Sequence, residues 1–378
     1  MKVVLIDSLV GNEYTINLCR ELQKIIGDLT LVLPQSRNVE SLSNVKIKYW
    51  APSKSSKTNK LKKALIYFYY LFRLLIFISL NRKCIIHFQF FRRKFDVYFL
   101  ALLSLLGINI VYTAHNVFPH ERKAFDKFRN YIAYKRSKAI IVHSEVVKKK
   151  LGDEFPALIK KIHVIPHGNF DNYLPKIPIT KRTAREHFNL SMDDKVILFF
   201  GFIRKYKGLD LLLNSFDLAA KVNKELKLII AGSAVSKELE TTYKNRILFS
   251  PFRDRILDYF IFVSNEMVPF YFEAADIVVL PYTAIDHSGI IHLAYSFNRP
   301  VISTNVGDFS EVIEDNKSGK ILESNTPQVL ADTIKSMISN KDLDKMGDYG
   351  NNLNKKKYSW EIAAEKTKNV YEILLTDQ

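Results

Sequence analysis

The sequence predicts two Rossmann-like α/β domains, each built on a parallel sheet, and three observations point there. Short apolar runs alternate with helix-length segments along the whole chain, the rhythm of parallel strands joined by helical crossovers. With 378 residues, 47% of them hydrophobic and 12% aromatic, there is enough apolar material for two cores rather than one. Around 169–191 the rhythm breaks: Pro175, Pro178 and the charges Lys176, Lys181, Arg182 and Arg185 intervene before a second α/β series begins. The expected division is a first domain over 1–168, a linker with a short helix over 169–193, and a second domain over 194–355.

In the first domain, strands are expected at 3–6, 29–33, 45–49, 85–88, 110–113, 139–143 and 163–165. Helices are expected at 14–26, 59–80, 97–106, 120–136 and 145–151. The second domain should place strands at 196–200, 226–230, 259–263, 277–280, 301–303 and 319–322. Its helices should lie at 208–222, 268–275, 290–297 and 326–339, with a last helix at 360–375. Only Cys19 and Cys84 are present, too few for a disulfide framework or a cysteine zinc site, which fits a reducing compartment. Met1 and Lys2 lead directly into an apolar strand, so no secretory leader is expected. With 25% charged residues and ordinary Gly and Pro content, the chain reads as neither disordered nor fibrous.

Charge is unevenly placed. The net charge is +17, and residues 1–168 hold 29 Lys and Arg against 11 Asp and Glu, leaving 27 against 28 for the rest. A general bias towards lysine would spread along the chain and does not explain this asymmetry. Local excess of this kind points to a polyanionic neighbour. No nucleic-acid-binding module accompanies it, so a nucleic-acid partner is not expected. The helix at 59–80 offers another target. Lys57, Lys60, Lys62 and Lys63 lead into a run containing Tyr67, Phe68 and Phe72, with Arg73 near its middle. A span needs about 20 apolar residues, and this run is shorter. Two readings remain: a core helix with solvated lysines before it, or a helix lying on an anionic membrane surface with those aromatics inserted. The basic half favours the second.

The chemistry-bearing segments concentrate in the second half. The strand at 196–200 runs into Gly201-Phe202-Ile203-Arg204-Lys205-Tyr206-Lys207-Gly208, which opens a helix. Glycines with two cations between strand and helix suit a polyphosphate: Arg204 binds bidentately, Lys207 supplies a point charge, and Gly201 and Gly208 let backbone approach. Further on, the strand at 277–280 is followed by Pro281-Tyr282-Thr283-Ala284-Ile285-Asp286-His287-Ser288-Gly289. Ser288 and Gly289 then sit at a helix N-terminus, where free N–H groups and the dipole favour an anion. A turn, Val306-Gly307-Asp308-Phe309-Ser310-Glu311, follows the strand at 301–303; Ser310 and Glu311 there could instead cap a helix. In the first half, His115 within Ala114-His115-Asn116 closes a strand, where ligands of open parallel sheets bind. A satisfied structural histidine is the alternative. His287 and His292 lack an acidic pair at metal-ligand spacing, so no metal is expected.

These segments resemble the donor-binding domain of the family 4 glycosyltransferases, retaining enzymes of the GT-B fold. The likeness extends to Tyr112-Thr113-Ala114-His115-Asn116, to Ile165-Pro166-His167-Gly168, and to Tyr358-Ser359-Trp360. The resemblance implies two Rossmann-like domains with a cleft between them and a nucleoside diphosphate sugar as substrate, held without a cofactor or metal. It implies that 356–378 crosses back to the first domain, and that His115 faces the donor sugar, with Arg204 and Lys207 neutralising the leaving diphosphate. Gly201, Asp286, Ser288, Gly289 and Glu311 would contact the donor, and His120 and Glu121 the acceptor. His167 stands between hinge packing and a site role. The family's two glutamates, one for the sugar and one for the ribose, fall at Ile285 and Leu293 here, and Asp286 could take over part of the sugar contact. The implied activity is hexosyl transfer to an oligosaccharide or lipid-linked saccharide in surface polysaccharide synthesis, at the inner face of the plasma membrane. Two alternatives stay open: a non-catalytic partner subunit, suggested by Ile285 and Leu293, and a GT-B sugar-nucleotide epimerase.

Overall fold

The computed structural model describes residues 1–9, 13–34, 39, 42–52, 59–91, 95–115, 117 and 126–376. Internal contacts divide the chain into two units, Met1–Gly168 with Ser359–Gln378, and Asn169–Tyr358.

The first unit runs β1 (Lys2–Asp7), α1 (Glu13–Ile25), β2 (Asp28–Pro34), β3 (Val45–Ala51), α2 (Lys60–Ser79), β4 (Ile85–Phe90) and α3 (Asp96–Leu105). It continues with β5 (Asn109–Thr113), α4 (Asp126–Arg136), β6 (Ala139–Val142), α5 (Glu145–Glu154) and β7 (Ile162–Val164). The seven strands form one parallel sheet in the order β3-β2-β1-β4-β5-β6-β7. Its central strands are buried on both faces, which is why Val3-Val4-Leu5-Ile6 and Ile85-Ile86 are continuous apolar runs rather than alternating ones. On one face, α1 and the C-terminal helix Trp360–Thr376 build a core around Leu18, Leu22, Ala363 and Tyr371. On the other, α2 and α3 contribute Tyr67, Tyr70, Leu74, Phe99 and Leu103. Ser144 caps α5, its hydroxyl accepting from Val147 N at 3.2 Å.

The second unit holds α6 (Lys181–His187), β8 (Lys195–Phe200), α7 (Leu209–Ala220), β9 (Leu226–Ala231), α8 (Lys237–Leu248), β10 (Ile256–Tyr259) and α9 (Val268–Ala274). Then come β11 (Ile277–Leu280), α10 (Gly289–Ser296), β12 (Val301–Ser303), α11 (Phe309–Val312), β13 (Gly319–Ile321), α12 (Pro327–Ile338) and α13 (Leu343–Lys357). Its parallel sheet has the order β10-β9-β8-β11-β12-β13.

Two expectations need correction. The short helix expected within 169–193 is α6, and the segment is part of the second unit rather than a connection between units. Helix α6 packs against α9, and the buried Arg185 guanidinium donates to Asp276 Oδ2 at 2.8 Å and to the Ala274 and Met192 carbonyls. Asp276 also binds Lys181 at 2.5 Å and the Val196 amide at 2.7 Å, pinning α6 to the start of β8. The strand expected at 259–263 lies earlier, at Ile256–Tyr259, because its partners on β9 run from Leu228 to Ala231 and end there. Ile261 and Phe262 lie beyond that ladder, exposed. In both sheets the order reverses beside the first strand, between β1 and β4 and between β8 and β11. Such reversals open a crevice at the carboxyl ends of the strands.

Candidate active site

In the second unit, the crevice at the reversal is lined by the two loops that leave β8 and β11. Gly201 ends β8, and a short turn at Lys205–Lys207 leads to Gly208, which starts α7. Gly208 adopts φ +69°, and a Cβ there would stand 1.8 Å from the Pro281 carbonyl oxygen. Only glycine lets the two loops come this close. They are also tied by Thr283, whose amide donates to Tyr206 O at 2.7 Å.

This packing buries Lys207, at 8% exposure, while Arg204 stays exposed. The Lys207 ammonium lies 5.3 Å from the centre of the buried Tyr282 ring and against Gly201. Burial pushes its pKa down to about 8, with the nearby Arg204 charge acting in the same direction. No ion pair to Lys207 occurs among the described residues. A buried cation without a counter-charge is costly, so an anion bound here would offset that cost.

Ser288, buried, stands at the N-cap of α10 with no side-chain cap bond, and Gly289 begins the helix. Packing alone also asks for a small residue at 289, since a Cβ there would meet the Phe170 ring at 2.8 Å. Asp286 is buried in the same loop. Ile285 and Leu293 belong to the apolar core, Leu293 at 4% exposure, and the loop at Gly307 lies directly on Ile285. Apolar packing therefore fills both positions where the family has glutamates. Glu311 is exposed on the short helix α11. Asp308, not Ser310, occupies the N-cap of α11, which puts Glu311 at the third helical position; the Asp308 carboxylate accepts from His287 Nδ1 at 2.5 Å. His292 is buried, bonded through Nδ1 to Asn354 Oδ1 at 2.8 Å, and burial lowers its pKa to about 4. Among the described residues, no three His, Cys, Asp or Glu are grouped to hold a metal ion.

In the first unit the strand ends gather a histidine cluster that sequence spacing did not announce. His115, just past β5, stacks on Phe90 at 3.9 Å between centroids and meets Tyr14 edge-on at 4.6 Å. His143, just past β6, donates from Nδ1 to the Ile165 carbonyl at 3.0 Å. His115 Nδ1 lies 3.0 Å from His143 Nε2, and its Nε2 lies 3.2 Å from Gln89 Oε1, an acceptor, so each ring nitrogen of His115 faces a hydrogen-bonding partner. His167 packs beside His143, Tyr14 and Trp360. Gly168 follows because any Cβ there would stand 2.1 Å from the Trp360 ring. Beneath the cluster, His87 is fully buried between Tyr371 Oη at 2.6 Å and Thr113 Oγ1 at 2.7 Å, and burial holds its pKa near 3. Gln89 and His143 are legible only as strand-end residues, a position shared by many structural side chains.

Three further expected residues, Lys57, His120 and Glu121, lie outside the described residues. Tyr67 is not available for insertion. It is 4% exposed and donates to buried Asp96 at 2.5 Å, whereas Phe68 and Phe72 are exposed, as are Lys60 and Lys62, with Lys63 half-buried. No described helix is long and apolar enough to cross a membrane.

Residues 11–169 match the sequence profile described as Glycosyltransferase Family 4, and residues 180–355 the profile described as Glycosyl transferases group 1. The chain is similar to a D-inositol 3-phosphate glycosyltransferase of Xylanimonas cellulosilytica, 25% identical over 240 residues, 62% of this chain and 57% of that protein. It is similar also to spore coat protein SA of Bacillus subtilis, 23% identical over 242 residues, 62% of this chain and 64% of that one. Each match spans less than two thirds of the relative's own length. Among solved structures, Anabaena Alr3699/HepE in complex with UDP and glucose superposes with a TM-score of 0.76 at 16% identity, covering 98% of this chain and 99% of that one. The shared fold is GT-B.

Proposed function

The chain belongs to the glycosyltransferases that these two profiles describe, and on that premise we propose that it moves a hexose, with retention, from a nucleoside diphosphate sugar to a saccharide hydroxyl. The observation that carries this reading is the buried Lys207 ammonium, without a carboxylate partner, between two loops at a sheet reversal. The diphosphate of a donor is the counter-charge that such a pocket lacks. Arg204 would bind it from the exposed side, and Ser288 and Gly289 from a helix N-terminus. Gly201, Asp286 and Glu311 complete the proposed donor contacts, and His115 is assigned to the transfer step.

In that step the bond from the anomeric carbon to the diphosphate oxygen breaks, and the nucleoside diphosphate leaves with the electron pair. The acceptor oxygen bonds to the anomeric carbon on the same face, and its proton leaves with the diphosphate. Charge that grows on the leaving group is stabilised by cations already in place. The chain's own side chains and amides suffice for this neutralisation without a metal. The acceptor is proposed to be lipid-linked, at an anionic membrane surface, with surface polysaccharide as the product.

Ile285 and Leu293 favour a second reading, a glycosyltransferase-like subunit without turnover of its own. Thermal unfolding with a panel of nucleoside diphosphates and nucleotide sugars tests donor binding, because a ligand of the native state raises stability by mass action. Turnover of the stabilising sugar by the purified chain then separates the two readings. Stabilisation that survives Lys207→Ala unchanged would sink the donor pocket.

A further inference from the structure

Beyond its first turn helix α2 is apolar apart from Arg73 and Ser79, but the core uses only one stripe of it. Tyr67, Tyr70, Leu74 and Ile78 point inward at helical spacing. The opposite stripe, with Leu65, Phe68 and Phe72, is 57–62% exposed. Helix α3 repeats the arrangement: Val97, Leu100 and Leu103 are buried, while Tyr98 is 53% and Leu105 68% exposed. Phe95, itself 58% exposed, lies 6.5 Å from the Phe68 ring and 6.3 Å from Tyr98, so the two open stripes join into one surface. Soluble proteins seldom leave a contiguous apolar area of this kind uncovered without a partner.

Charge says which partner. Between residues 60 and 106 the sequence holds nine Lys and Arg and one acidic residue, Asp96. Asp96 is buried and holds the Tyr67 hydroxyl, so it does not offset the cations at the surface. Lys60 and Lys62 are exposed at the start of α2, Arg82 and Lys83 just beyond its end. An apolar centre between cations complements an anionic lipid surface. A second copy of the chain would instead bring the same positive fringe against itself.

We propose that α2 and α3 together form a two-helix membrane-docking face, with Phe68, Phe72, Phe95, Tyr98 and Leu105 entering the boundary between headgroups and acyl chains. The inference deepens the lipid-linked part of the proposed function and rests on it for its biological purpose, while its physics is independent of the donor pocket. Helix α3 enters as an equal partner, and Tyr67 serves as the hinge of the inner packing rather than as an anchor.

Single cysteines at Phe72→Cys, Leu105→Cys and, as a control on the second unit, Phe249→Cys would carry a polarity-sensitive fluorophore. Native Cys19 and Cys84 are buried and leave the background low. With vesicles of phosphatidylcholine and phosphatidylglycerol, the probes at 72 and 105 should both shift to the blue and that at 249 should not. Phosphatidylcholine alone should give no shift. The charge-preserving variant Phe68→Ser/Phe95→Ser/Leu105→Ser should lower vesicle partitioning at least about tenfold. Its nucleoside diphosphate affinity, measured in parallel, should stay at the parent value, so a failure of docking and a failure of the donor pocket read separately. A response at 72 without one at 105 would overturn the paired face, as would equal binding to both vesicle types. A concentration-dependent dimer abolished by the triple variant would assign the surface to self-association instead.

Discussion

The two units share one sheet plan and differ in almost everything laid upon it. In both, the strand order reverses beside the first strand, and the residues of chemical interest lie at the carboxyl ends of strands, at the reversal itself in the second unit and past β5 and β6 in the first. Yet the first unit holds 31 Lys and Arg against 15 Asp and Glu, the second 25 against 24. The second unit pairs much of its charge, as in Arg246–Asp217, Arg253–Asp258 and Arg299–Glu273, and keeps one buried cation, Lys207, unpaired. The first leaves an excess of cations beside an apolar surface and lines its strand ends with mutually bonded imidazoles. The difference teaches that topology fixes where a site lies, while side-chain electrostatics fixes what each site is for.

The comparison can be broken most severely at the glycine that joins the two donor loops. Gly208→Ala forces a side chain into a left-handed backbone and against Pro281, which should cost the second unit roughly 3 kcal/mol or more. Urea unfolding followed in each unit by a local probe should show the loss in the second unit alone; equal loss in both would contradict their separate cores. Next in size, Lys207→Ala and Arg204→Ala should each reduce turnover at least about tenfold with the fold intact, since each removes a charge-assisted contact to the leaving group. Steady-state kinetics and circular dichroism of the same samples check both halves of that statement. Donor affinity should also fall as pH rises through about 8, where Lys207 loses its proton, and Lys207→Met should flatten the profile.

His115→Ala probes the other unit. It should slow transfer at saturating donor by more than it weakens nucleoside diphosphate binding, and His143→Ala, which removes one partner of the His115 ring, should have the smaller effect in the same direction. A mutant that lost nucleotide affinity but kept its rate would remove His115 from the transfer step. The smallest effect is shared. His87 and His292 have folded pKa values of about 3 and about 4, below the ordinary histidine value. Between pH 6.5 and those values the unfolded chain binds protons that the folded one refuses, so stability falls as pH falls, by about 1.4 kcal/mol per pH unit for each group. Conversion of His292 to Asn should reduce the slope in the second unit, and of His87 to Asn in the first; an unchanged slope in either would mean that the ring protonates in place.

The sequence by itself placed every strand but β10, the presence of two sheets, and the two glycine-bearing loops that leave β8 and β11. A strand buried on both faces must be a short apolar run, and a loop that grips phosphate must combine glycine with cations, so both leave local signatures. Helices α8 and α13 left none. Only Tyr243 and Ile247 of α8 are buried, and α13 carries Gly347 and Gly350, which read as helix breakers. Packing alone explains those glycines, for a Cβ at 347 would stand 1.9 Å from the Asn298 carbonyl oxygen and one at 350 would strike the Tyr295 ring. The histidine cluster was equally silent, because His87, His115 and His143 lie on separate strand ends and meet only when β4, β5 and β6 pair. Helix α2 is the clearest case. Periodicity reveals an inward face only when the two faces differ, and here both are apolar, so the bond from Tyr67 to Asp96 and the packing of Leu74 and Ile78 on the sheet decided which aromatic residues were left for the outside.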